Sequence, residues 1–151
     1  MATYTLWDEL LASTTEPLPH EKRHFQLSRM WAGLEAMEGD NAEPDHWRYV
    51  SDAVNLLEVL IAMGEVADPA GLIGDVIQAM GECSARYEAG GLLKLQPGEA
   101  QGVRALLEDY AGAINALPAR TVIRCHRLTE KRIQALLRDT SRKPGTHIVT
   151  A

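Results

Sequence analysis

The feature that most constrains the fold is a long, almost wholly apolar stretch at residues 45–63. On a helical projection its polar residues share one narrow stripe, formed by Asp45, Arg48, Asp52 and Asn55. Most of the remaining surface is aliphatic, with Val50, Ala53, Val54, Leu56, Leu57, Val59, Leu60 and Ile61. Because a helix that is apolar around most of its circumference needs cover on several sides, this stretch predicts a central core helix.

Proline and glycine divide the rest of the chain into further helical stretches with apolar residues three or four positions apart. The predicted helices are Thr5–Ala12, Pro19–Glu38, a segment from just after Asp68 to Ala89, Pro97–Leu117 and Ala119–Asp139. Strand-like alternation does not persist beyond Leu92–Leu95. The sequence therefore predicts an all-α bundle of five to six mostly antiparallel helices. We expect one domain over residues 1–139 and a flexible tail over residues 140–151.

Composition narrows the class of protein. A chain of 151 residues with 46% hydrophobic residues can bury an ordinary core without a metal or disulfide staple. Cys83 and Cys125 are far apart and form no metal-binding pair, so we predict two buried free thiols. The N-terminus lacks a basic leader, and no apolar run approaches the 20 or so residues that span a bilayer. These features predict a cytoplasmic protein without membrane contact, and no motif implies a cofactor.

Charge is distributed unevenly along the chain. Residues 1–117 hold 7 basic and 19 acidic residues, a net charge of −12, whereas residues 118–151 hold 8 basic and 2 acidic residues, a net charge of +6. The whole chain is acidic, at −6, which disfavours sequence-independent binding of nucleic acid by the protein as a whole. The basic C-terminal segment is where we expect an interaction surface.

Five cations in that segment lie at helical spacing and form what we call the basic stripe: Arg120, Arg124, Arg127, Lys131 and Arg138. At 100° per residue they fall within an arc of about 60° and extend for about 27 Å. Apolar residues, including Val122 and Cys125, occupy the opposite side. The spacing predicts an amphipathic last helix that turns its cations away from the core.

Three interpretations of the basic stripe remain open. The first is a solvated helix face, paired in part with the acidic segment of the same chain. The second is a docking site for a protein partner, including a second copy in a homodimer, since arginine binds carboxylates well. The third is contact with nucleic-acid phosphates, where the absence of interleaved aromatic residues disfavours single-strand stacking.

A second motif, His20-Glu21-Lys22-Arg23-His24, resembles the HExxH motif of zinc metalloproteases over these five residues. The resemblance implies zinc ligation by His20 and His24, with Glu21 as the base. An antiparallel hairpin would bring Glu58 opposite His24 as a third ligand. Because the motif opens its helix beside Pro19 and no sheet is predicted around it, we expect neither a catalytic nor a metal site here.

The sequence as a whole favours a non-enzymatic helical interaction protein, such as an accessory subunit, an inhibitor or a regulator. It would dock on a macromolecular partner through the basic stripe. The alternatives are a nucleic-acid-binding accessory subunit that uses the same residues and, more distantly, a zinc hydrolase that uses the pentad. A homodimer is also expected, because the aliphatic surface of residues 45–63 exceeds what one small bundle is expected to cover.

Overall fold

The computed structural model describes residues 4–139, which form six α-helices in one domain and contain no strand. The helices are α1 (Leu6–Leu11), α2 (His20–Glu38), α3 (Pro44–Ala62), α4 (Leu72–Glu88), α5 (Pro97–Ala116) and α6 (Ala119–Arg138). The predicted all-α bundle is confirmed. The predicted tail, residues 140–151, lies outside the described residues.

The sequence places the start of α4 too early. The carboxylate of Asp68 does cap this helix, accepting the N–H groups of Leu72 at 2.9 Å and Ile73 at 3.1 Å. Regular helix begins only at Leu72, however, because Gly71 takes a left-handed conformation with φ of 67°. Pro69 therefore lies in the turn before the helix and not in its first turn.

Helix α3 occupies the centre of the core, as predicted. Val50, Val54, Leu57 and Leu60 are wholly buried, and α3 packs against α2, α4, α5 and α6. The polar stripe is not all solvent-exposed, because Asn55 is buried in the bundle. Since one chain covers nearly all of α3, the surface that suggested a homodimer is not available to a second copy.

Backbone hydrogen bonds join the segment after α1 to the start of α6. The N–H of Ala119 donates to the carbonyl of Glu16 at 2.8 Å, and the N–H of Arg120 donates to the carbonyl of Ser13 at 3.0 Å. The first N–H groups of a helix have no partner within the helix itself. The 13–16 segment therefore caps α6 and fixes α1 beside it.

Candidate docking surface

The amphipathic character of α6 is confirmed where the helix crosses α3. Val122 and Cys125 are buried, and the Cys125 thiol lies 3.2 Å from the carbonyl of Leu56, to which it donates. Burial raises the pKa of this thiol to about 12, and Cys83 is likewise free and buried. The predicted buried thiols are thus found, and α6 is held to the core by the side opposite its cations.

Two members of the basic stripe are engaged by α1. Arg127 Nη1 lies 2.8 Å from Glu9 Oε1, and both side chains are largely buried. Arg120 Nη2 donates to the carbonyl of Leu10 at 2.6 Å, at the C-terminal end of α1 where unpaired carbonyls carry partial negative charge. Two of the five cations of the stripe therefore already bind an acidic helix, which belongs to the same chain.

The other three members of the stripe, Arg124, Lys131 and Arg138, are exposed. None of the three forms an ion pair with any residue between 4 and 139. They recur at intervals of seven residues, about 10.5 Å along the helix axis, with the exposed residues Leu128 and Ala135 between them. We call these five residues the α6 ridge.

Arg132, which is not part of the basic stripe, meets the core instead. Its Nη1 lies 3.2 Å from Glu58 Oε1, and the Glu58 side chain is buried. Burying a carboxylate is costly unless a cation is close by, so Arg132 supplies the compensating charge. Glu58 thus belongs to the α3–α6 contact, which is not where the zinc hypothesis needs it.

The HExxH-like pentad lies on an exposed part of α2. The imidazole rings of His20 and His24 stack with their centroids 5.9 Å apart, and His24 Nε2 lies 3.4 Å from the Ser28 hydroxyl. Within the described part of the chain, no three His, Cys, Asp or Glu residues lie close enough to share a metal ion. The structure therefore does not assemble the His20–His24–Glu58 set that the hairpin argument suggested.

Helix α1 exposes an apolar surface to solvent. Trp7 is 71% exposed and Leu11 is 83% exposed, while Leu6 and Leu10 are about half exposed. None of the residues of α1 is buried. Clustered exposed apolar side chains of this kind are typical of sites that contact another molecule.

His126 is a half-buried group whose Nε2 atom is enclosed by the protein. Its ring packs edge-on against Tyr4, with centroids 5.3 Å apart, and no described residue forms a hydrogen bond to its Nε2. Burial lowers the pKa of His126 to about 4. The sequence gives no signal that His126 is covered, because the residue that covers it, Tyr4, lies more than a hundred positions earlier in the chain.

One shallow depression lies elsewhere on the surface of residues 4–139. The depression between the end of α4 and the start of α5 is lined by Arg86, whose guanidinium already forms hydrogen bonds of 2.6 and 3.2 Å to Glu99.

None of the helices within residues 4–139 is long and apolar enough to cross a bilayer. Comparisons of the chain with models of protein families, with curated proteins and with solved structures found no match.

Proposed function

We propose that this protein is a non-enzymatic helical interaction protein, an accessory subunit, inhibitor or regulator that docks on a protein partner through the exposed cations of α6. Arg124, Lys131 and Arg138 are the contact residues. Arg120 and Arg127, which the sequence included in the contact row, serve instead to seat α1. The partner surface is acidic, because it must supply the carboxylates that the three exposed cations lack.

The observation that carries this proposal is the exposure of three evenly spaced cations on α6, a helix that is anchored in the core by its buried residues between Ala119 and Thr129. A preformed helix loses little conformational entropy on binding, so ion pairs made along it retain more of their free energy. The nearby Glu9–Arg127 pair shows that an acidic helix is compatible with this surface. The same cations on a flexible loop would lose more conformational entropy on binding.

Charge reversal on α6 tests the proposal. We expect the double variant Arg124→Glu/Lys131→Glu to lose at least about tenfold in affinity for its protein partner, because two attractive contacts become repulsive. Its free energy of unfolding should change by less than about 0.5 kcal/mol, since both side chains are exposed. The measurements are retention of partner proteins from the native host on the immobilised chain, and urea unfolding.

A matched control carries the same change in net charge on another surface. Arg48→Glu/Lys94→Glu alters two surface cations, on α3 and on the loop before α5, that pair within the chain with Asp45 and Asp40, and this variant should bind like the wild-type chain. Equal retention by the wild-type chain and the α6 variant would show that the stripe is only solvated. Equal losses in both double variants would show that net charge, and not the α6 surface, governs binding.

Nucleic acid is the second candidate partner for the same residues. With Arg120 and Arg127 engaged by α1, only three stripe cations remain for phosphates, and they are about 10.5 Å apart. Binding through three phosphate contacts predicts a log–log salt dependence with a slope near −3 on duplex DNA. Retention on heparin and duplex at low salt, lost in Arg124→Glu/Lys131→Glu, would favour this candidate over a protein partner.

A further inference from the structure

The structure points to a specific occupant for the α6 ridge: we infer that it docks on an exposed ridge of α2 in a second copy of this chain. This inference rests on the proposed function, because it names the protein partner. It does not use the surface of α3, which is buried within one chain. It follows instead from the match in spacing, charge and size between two exposed helix faces.

The second face, which we call the α2 ridge, consists of Glu21, Phe25, Ser28, Ala32 and Glu35, all exposed. Its residues follow one another at intervals of 4, 3, 4 and 3, the same intervals as in the α6 ridge. Each ridge is 14 residue steps long, or about 21 Å. Two helices that pack at a shallow angle stay in contact over this seven-residue repeat, so their side chains stay in register.

The charges of the two ridges are complementary in either orientation. The α6 ridge has Arg124 and Arg138 at its ends, and the α2 ridge has Glu21 and Glu35 at its ends. Neither glutamate forms an ion pair with another described residue, and neither do the two arginines. Pairing the ridges would give all four end charges a partner.

At the centre of the two ridges Lys131 lies opposite Ser28, with Glu21 and Glu35 seven residues to either side, and the residues next to this pair are suited to close packing. Leu128 and Ala135 lie on one side, and Phe25 and Ala32 on the other, with Phe25 60% exposed. Arg29 borders this face, because its guanidinium lies 4.2 Å over the ring of Tyr49 on α3 and also 5.0 Å over the ring of Phe25. Small residues beside large ones allow two helices to approach and interdigitate.

The two ridges also flank the same part of the molecule. Tyr4 contacts α6 through His126 and α2 through Lys22, whose Nζ lies 5.8 Å from the Tyr4 ring centroid. In a two-fold dimer the ridge contact occurs twice, once for each copy. A stable dimer buries about 800 Å² on each partner, and the exposed apolar residues of α1, Trp7 and Leu11, lie on a helix that packs against α6 and are available to contribute to that area.

A charge-exchange experiment tests this inference on the chain of 151 residues. One variant, Arg124→Glu/Arg138→Glu, makes both ridges acidic, and the other, Glu21→Arg/Glu35→Arg, makes both basic. We expect the wild-type chain to sediment at twice its mass of 16.6 kDa, and each variant alone to dimerise at least about tenfold more weakly. Mixed in equal amounts, the two variants should recover the dimer mass, because every ridge contact is then attractive.

The results separate this inference from the proposed function. Circular dichroism first establishes that both variants fold, which the exposure of all four residues predicts. A monomeric wild-type chain, or a mixture that stays monomeric, would overturn the dimer. If the wild-type chain is monomeric but reversal of Arg124 and Lys131 still abolishes capture of a different protein, self-docking is wrong and the proposed function stands. If reversal of these charges changes neither the dimer mass nor the capture of a different protein, both the self-docking inference and the proposed function are wrong.

Discussion

Replacing Gly33 by alanine should destabilise the protein by about 2–4 kcal/mol, the largest effect that we expect from adding a single methyl group. A Cβ atom at this position would lie 2.5 Å from the main-chain oxygen of His46 and 3.3 Å from a methyl carbon of Val50. The nearest obstacle belongs to the backbone of α3, which cannot rotate away as a side chain can. Helices α2 and α3 would have to separate, and the fully buried Leu34 and Leu57 would lose contacts.

The control for Gly33→Ala is Gly81→Ala on the exposed side of α4. A Cβ atom at Gly81 would meet no atom within 4 Å. Because alanine favours a helix interior by up to about 1 kcal/mol over glycine, this variant should be more stable than the wild-type chain. Urea unfolding measures both free energies. If Gly33→Ala were as stable as Gly81→Ala, the close approach of α2 to α3 would be incorrect.

Acid should destabilise the fold through His126 by about 3 kcal/mol between pH 7 and pH 4. Burial lowers the pKa of His126 in the folded protein to about 4, from an ordinary value of 6.5. As the pH falls below 6.5, His126 binds a proton in the unfolded chain but not in the folded chain. The free energy of unfolding therefore decreases. The contribution of neutral His126 to the free energy of unfolding is complete above pH 6.5. It decreases progressively below that pH and is lost once the pH has fallen through 4.

The matched variant for this prediction is His126→Phe. It keeps an aromatic ring against Tyr4 and removes the titrating group, while the carboxylates elsewhere titrate in both proteins. The difference in unfolding free energy between the two proteins should therefore shift with pH, in favour of the variant at pH 4. Parallel pH profiles would mean that His126 remains solvated in the folded protein.

Most of the fold could be predicted from the sequence, because the sequence signals that define each helix lie within or next to that helix. Proline at the first turn of α3 and α5, and apolar residues every three or four positions, define the helices almost to the residue. The start of α4 was misplaced because Asp68 caps the helix across an intervening glycine turn. That geometry depends on the left-handed conformation of Gly71, which the apolar pattern does not encode.

The candidate site was only partly accessible for a different reason. The direction of each cation on α6 follows from its spacing, so the basic stripe itself could be derived. Which cations remain exposed depends on contacts more than a hundred positions away, such as Glu9 with Arg127 and Leu10 with Arg120. The ion pair of Glu58 with Arg132 could not be predicted for the same reason, because Arg132 lies 74 positions further along the chain, on α6.

The central claim is that the α6 ridge lies close to a carboxylate of another chain. Zero-length cross-linking of amines to carboxyl groups measures this proximity directly. Lys131 is the only amine on the ridge, and we predict that it becomes linked to an Asp or Glu of a second polypeptide in protein isolated from its host. Lys94 provides an internal control, because its Nζ lies 2.6 Å from Asp40 and should link within the chain. A sample in which Lys94 is linked to Asp40 while Lys131 stays unmodified would contradict the docking surface.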